Sequence, residues 1–200
     1  KNIKAVYYPT DALYLLSLPS TGFTYCFDTR GQLENGGARV TIWKDIKPTA
    51  FTVNQNKELY IGKQGYIGKY SGYQDNGSTY RLSYYTNYFD FDTPAQIKML
   101  KRINLVAIGG SAQAISFKWG FDYNSNYSSQ VVTLDTLTVY EYGTAEYNIA
   151  EYSNGIALDT AKFNASNDGL VLQLGFETDI NGYPLSLQKV DMGLKLGKTL

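Results

Sequence analysis

The sequence predicts an all-β protein: partial β-propeller-like blades followed by an antiparallel β-sandwich or barrel. Three observations lead there. Tyrosine is the compositional outlier, at 19 of 200 residues beside 9 Phe, and aromatic side chains favour strands. Glycine also occurs 19 times. Asn-Gly stands at Asn35-Gly36, Asn76-Gly77, Asn154-Gly155 and Asn181-Gly182, with Asp168-Gly169 beside them. Asn and Gly both tolerate positive φ, so such pairs suit two-residue hairpin turns that match strand twist. Thirdly, the apolar runs between these signals are short.

Taken in order, "AVYYP", "ALYLLSL", "FTYCFDT" and "ARVTIWK" form one set of four strands. Alternation places Phe23, Tyr25 and Phe27 on one face of the third, and Val40 and Ile42 on one face of the fourth. "TAFTV", "ELYIGK", "YIGKYS" and "TYRLSYYT" make a second set of four. Four short strands per set is the pattern of propeller blades. Two sets do not close a ring, so the expectation is that Lys1 begins a fragment or processed product whose other blades lie elsewhere.

Beyond Phe91 the runs lengthen: "QIKMLKRINLVAI", "QAISFKWGFDY", "QVVTLDTLTVYEY", "LVLQLGFE" and "LSLQKVDMGLKL". They suit a sandwich or barrel. The expected division is therefore residues 1–86 as blades and 87–200 as the second domain. Leu170, Leu172 and Leu174 share a face, whereas the pattern begun by Leu185 and Leu187 breaks further on. The joining stretch "YFDFDTPAQIKMLKRI", Tyr88 to Ile103, admits a helix from Gln96 or a strand. The β-branched residues that follow and Gly109-Gly110 favour the strand, with Ile97, Met99, Ile103 and Leu105 on one face and Lys98, Arg102 and Asn104 opposite. Pro94 would stiffen its entry as a hinge between the two domains.

Composition excludes several chemistries. There is no histidine and one cysteine, Cys26, which removes Ser-His-Asp and Cys-His catalysis, the usual zinc and iron sites and an internal disulfide. Cys26 lies in an alternating run and reads as a small apolar filler. Eighteen basic and eighteen acidic residues cancel, so bulk charge does not draw this chain to nucleic acid. No apolar run approaches the ~20 residues of a membrane span, and no basic-then-apolar leader is read.

The candidate motifs are weak. Asp90 and Asp92 flank Phe91; on a strand both would point the same way, as a carboxylate pair for glycoside hydrolysis would. The competing reading is a turn or interface. "GLKLGKTL", Gly193 to Leu200, has one residue too few for a nucleotide-binding loop. "ETDING", Glu177 to Gly182, mimics the start of a calcium loop but would end on neutral Gln188, and a hairpin at Asn181-Gly182 explains it better. Asn76, Asn126 and Asn164 fit the N-glycosylation pattern by accident. Between Trp119 and Ala161 there is no Lys or Arg, while Asp122, Asp135, Glu141, Glu146, Glu151 and Asp159 form an acidic run. Such a run is a solvated face, or a surface that repels phosphate.

In series, "LYIGKQGYIGKY" (Leu59 to Tyr70), "YQDNG" (Tyr73 to Gly77), "YYTNYFDFDTPAQIKMLKRI" (Tyr84 to Ile103) and "GLVLQLGFETDINGYPLSLQKVDMGLKLGK" (Gly169 to Lys198) resemble one family. It is the tail nozzle of short-tailed bacteriophages, also called tail tubular protein B or tail stabilisation protein. The resemblance implies the C-terminal part of a virion protein built of propeller-like and sandwich domains. It implies a homohexameric ring at the distal end of the tail, attached to the tail adaptor ring and neighbouring tail fibres, through whose lumen DNA leaves without specific binding. It carries over no catalytic, cofactor-binding or metal residue, so no enzyme activity and no cofactor are expected. Tyrosine, large, stiff and amphipathic, suits the subunit contacts of such a wall. The alternatives are a carbohydrate- or receptor-binding β-module of a virion, using tyrosines with Trp43 or Trp119 as stacking platforms, and a polysaccharide depolymerase using Asp90 and Asp92. Both tryptophans lie within alternating strands, which favours core packing for them.

Overall fold

The computed structural model describes residues 3–33, 36–44, 46–110, 112–134 and 156–199. Strands are joined by turns and irregular segments, and no helix occurs among the described residues. The chain forms two compact units, Lys1–Ser71 and Gly72–Leu200.

In the first unit, β1 (Lys4–Tyr8), β2 (Leu13–Leu18), β3 (Phe23–Gln32) and β4 (Ala38–Lys44) form an antiparallel meander in sequence order. β5 (Ala50–Val53), β6 (Leu59–Lys63) and β7 (Tyr66–Lys69) form a three-stranded antiparallel sheet. Gly22 (φ +76) and Gly65 (φ +91) supply left-handed conformations in the turns before β3 and β7. The two sheets share one core. Tyr8, Leu15, Cys26, Leu59 and Ile61 are buried in it, with Val6, Trp43, Phe51 and Tyr70 packed around them. Fully burying a side chain such as Leu15 or Leu59 is worth about 2 kcal/mol.

The second set of four expected from the sequence is a set of three. Its fourth run, β8 (Tyr80–Tyr85), pairs with β14 (Leu172–Ile180) in the second unit. The division therefore falls at Ser71/Gly72 rather than after residue 86, and Tyr88 to Ile103 lies within the second unit instead of hinging two domains. The turn at Asn76-Gly77 explains why alternation misled here. Both residues have positive φ, at 50° and 80°, and Asp75 and Ser78 exchange main-chain hydrogen bonds. It is a hairpin turn, but it closes on itself and leads into a strand paired far along the chain.

The second unit is sandwich-like, and neither of its sheets closes into a barrel. One sheet runs β11 (Ser128–Thr133), β10 (Ala114–Phe121), β14, β8. The other is built on β9 (Gln96–Gly110). Arg102 pairs with Asn164 of β12 (Ile156–Asn164) and with Gly193 of β15 (Ser186–Thr199), so these strands flank β9 on opposite edges. The short β13 (Asp168–Gly169) pairs Lys98 and Met99 on the β12 side, because β15 already occupies the other. Both sheets contribute to one core, in which Ile103, Leu105, Phe117, Trp119, Leu172 and Leu174 are buried.

The stretch from Gln96 is a strand, as the sequence favours, with a different set of residues on each face. Lys98 and Leu100 are buried, Lys101 and Arg102 are both exposed, and Ile103, Leu105 and Ala107 are buried again. On the β15 side the register jumps from Gly193 opposite Arg102 to Leu194 opposite Leu100, leaving Lys101 without a partner. Lys101 is the extra residue of a β-bulge, and a bulge flips the inward phase. Ile97 and Met99 therefore do not share a face with Ile103; Lys98 does. A second register shift between Leu187 and Lys189 resolves the broken pattern of β15, returning Val190 and Met192 to the core side.

Three further expectations change. Asp168-Gly169 forms β13 rather than a turn. Asn181-Gly182 does not close a hairpin; it leads from β14 in one sheet to β15 in the other, with Gly182 N–H donating to Tyr73 O at 2.8 Å. Strand β12 went unread in the sequence. Asn35, the Asn154-Gly155 turn, the run after Leu134 and the acidic residues Asp135, Glu141, Glu146 and Glu151 lie outside the described residues.

Candidate interaction surface

Chemistry-bearing side chains come first, because they decide what kind of site to look for. Asp90 and Asp92 are exposed and lie in a turn, not on a strand. The Asp90 carboxylate accepts the Asp92 N–H at 3.1 Å, and the Asp90 carbonyl accepts the Thr93 N–H at 3.1 Å. Phe91 and Asp92 have φ of 53° and 57°, so strand alternation does not apply to them. Asp90 serves the turn as a side-chain acceptor. Trp119 is buried, with Nε1–H donating to Ser166 O at 2.8 Å, and Trp43 stacks on Tyr70 at 5.5 Å within the first core. Trp119 therefore presents no ring face as a sugar platform, and half-buried Trp43 has one ring face taken by Tyr70. Cys26 is buried and desolvation raises its thiol pKa, which keeps it inert. Among the described residues no group of three or more His, Cys, Asp or Glu is placed to hold a metal ion.

The two rejected loop motifs are also placed. Gly193 to Thr199 is continuous strand, and Glu177 to Ile180 belongs to β14. Glu177 is fully engaged on the outer face of its sheet. It accepts Tyr85 Oη at 2.5 Å, Arg81 Nη2 at 2.7 Å and Lys118 Nζ at 2.9 Å. The Tyr85 hydrogen bond, then those of Lys118 and Arg81, lower its pKa to about 2. The Tyr85 ring reaches it by lying over Gly175, whose added Cβ would meet the ring at 2.5 Å. This cluster locks three strands together and leaves no oxygen of Glu177 for a cation.

Lys98 is the other unusual charge. Its side chain has no solvent exposure. Its Nζ donates to the carbonyls of Thr93 and, at 2.8 Å, of Leu170. The ammonium thus ties the segment before β9 to the segment before β14.

Two open surfaces are apolar. In the β1–β4 sheet, register places Tyr7, Tyr14, Phe27 and Val40 in one cross-strand row, and Ala5, Leu16, Tyr25 and Ile42 in the next. Neither row holds a charge. Both project from the face opposite the Tyr8–Leu15–Cys26 core. Tyr7 and Ile42 are each 51% exposed, Val40 44% and Tyr14 40%, with Phe23 beside them at 36%. Together they expose on the order of a few hundred Å², the size of patch that marks an interaction site. An antiparallel sheet with one solvated face normally alternates apolar-in and polar-out. This one carries apolar rows on both faces. In the second unit an apolar groove of about 400 Å³ opens between β8 and β15, lined by Leu82, Tyr84, Phe89, Phe117, Val190 and Met192 among others.

The sequence signal for the bare face was present. The alternation of Phe23, Tyr25 and Phe27, and of Val40 and Ile42, defines its rows; sequence does not say which face meets β5–β7. No family model matches the chain, and no curated protein matches it.

Proposed function

We propose that this chain is a structural, non-catalytic component of a phage tail nozzle, in a virion, where copies form a ring-shaped conduit for DNA ejection. The observation that carries the reading is the β1–β4 meander with two apolar faces. A sheet in the interior of a stacked assembly needs two such faces, one for each neighbour, and propeller blades have this form. The second unit supplies a rigid sandwich, braced by the Lys98 tie and the Glu177 cluster. The sequence resemblance set out above gives the assembly its identity: a homohexamer joined to the tail adaptor ring and near the tail fibres, passing DNA without reading it. The core positions of Trp43 and Trp119 and the turn role of Asp90 support a wall over a sugar-binding or sugar-cleaving module.

The test is to image the full-length polypeptide and to label it in virions. Rings in solution and label at the distal end of short tails are expected. A full-length protein that stays monomeric and never copurifies with tail particles would remove the reading.

A further inference from the structure

The sheet edges that no described strand covers in the second unit are treated differently by the sequence. On β15 the described edge carries Lys189, Lys195 and Lys198 and is interrupted by three register shifts. On β12 it carries Asp159 and Lys162. Lysines and bulges are the devices that keep edges from pairing with other chains. The four-stranded sheet lacks them at both ends. β8 pairs with β14, and β11 with β10, in unbroken register. β11, "SSQVVT", has no charge, and the one charge of β8, Arg81, is already held by Glu177 and Asp179. Each is six residues long.

Main-chain directions complete the comparison. Thr86 N–H donates to Leu174 O at 2.9 Å, which fixes the phase of the β8–β14 ladder. By the alternation of antiparallel pairs, the N–H groups of Arg81, Ser83 and Tyr85 then point away from β14. Leu134 N–H donates to Gln113 O at 2.9 Å, so those of Ser129, Val131 and Thr133 point away from β10. Among the described residues no main-chain partner meets either set. Among the described residues the outward carbonyl of Val131 accepts only Gln130 Nε2, from its own strand, at 3.1 Å.

We infer that β8 of one copy pairs antiparallel with β11 of a second copy, head to tail, with Ser83 opposite Val131 of the second copy. That register keeps faces consistent: Arg81 meets Thr133 and Tyr85 meets Ser129 on the outer face, while Leu82 meets Val132 on the inner. β8 and β11 run in opposite directions within the sheet, so the added strand continues its antiparallel order. The contact joins two different edges and repeats from copy to copy, which is how heterologous interfaces generate rings. The added strand also extends the sheet beside the apolar groove at β8. The inference rests on the reading of the chain as a wall-forming subunit and specifies which edges build the wall.

The full-length protein carrying both Ser83→Cys and Val131→Cys is oxidised and run without reductant, with each single variant as control. Disulfide-linked multimers from the double variant alone are expected. Separately, Ser83→Pro removes an outward N–H and leaves the β14 ladder intact, so it keeps its melting temperature while association weakens by about tenfold or more; Ser83→Ala associates as the parent does. Rings without these crosslinks, and unaffected by Ser83→Pro, would overturn the inference and leave the wall reading standing. A protein monomeric in every form would overturn both.

Discussion

The ammonium of Lys98, on a side chain with no solvent exposure, donates to the main-chain carbonyl of Leu170 at 2.8 Å. A buried charge is retained only where its partners are in place. Here they are the carbonyls of Thr93 and Leu170, in two segments far apart in sequence. Lys98→Met keeps the volume and removes the donor to the Leu170 carbonyl, while the Thr93 carbonyl keeps the Gln96 N–H at 3.1 Å. It should cost about 1–3 kcal/mol, read as a lower denaturant midpoint. An unchanged midpoint would mean that the ammonium does not brace these segments.

Glu177 makes stability depend on acid. Its pKa falls from an ordinary 4.5 to about 2 in the folded protein. The unfolded chain therefore takes up this proton first as pH drops. The contribution is present in full above about pH 4.5, declines below it and is lost once pH falls through 2. Asp28, held low by Arg30, titrates over a similar range at a more exposed site, so the signature must be taken as a difference. Melting curves across this range should show a steeper acid decline in the parent than in Glu177→Gln. Parallel declines would contradict the assignment.

Tyr85 reaches Glu177 only because position 175 has no side chain. Gly175→Ala should push the ring aside, raise the Glu177 pKa and cost roughly 1–3 kcal/mol. A carboxyl NMR titration of this variant beside Tyr85→Phe checks it, since both should move the same resonance in the same direction.

The two faces of the β1–β4 sheet should respond oppositely to substitution. Leu15 is fully buried, and Leu15→Ala should cost about 2–5 kcal/mol through the cavity it leaves. Ile42 is 51% exposed on the other face. Ile42→Lys should change the stability of the separate chain by less than about 0.5 kcal/mol, yet prevent assembly or improve solubility. Thermal melts paired with light scattering separate the two effects. Equal losses of stability would mean the bare face is not bare.

Much of this architecture can be read from residue order, and the failures share a cause. Alternation in "LYLLSL", "FTYCFDT" and "ISFKWGF" marks strands because each has one face in a core, and those strands appear where the pattern puts them. Pairing does not follow from alternation. β8 looks like a fourth strand of its local set, but its partner is β14, almost a hundred residues later. The phase of β9 could not be read through Lys101, since a bulge shifts the face without any composition signal. The carboxylate-pair reading of Asp90 and Asp92 needs them on a strand, whereas the competing turn reading is the one the structure shows; the positive φ of Phe91 and Asp92 is a property of that turn. The candidate surface was legible as two apolar rows, while its openness depends on what else packs there.

The most direct measurement is an electron cryo-microscopy reconstruction of the full-length protein in its assembled form. The account predicts a closed ring of copies in which a further β-layer covers Tyr7, Tyr14, Phe27, Val40 and Ile42. A particle of one copy, with those five side chains facing solvent, would contradict it.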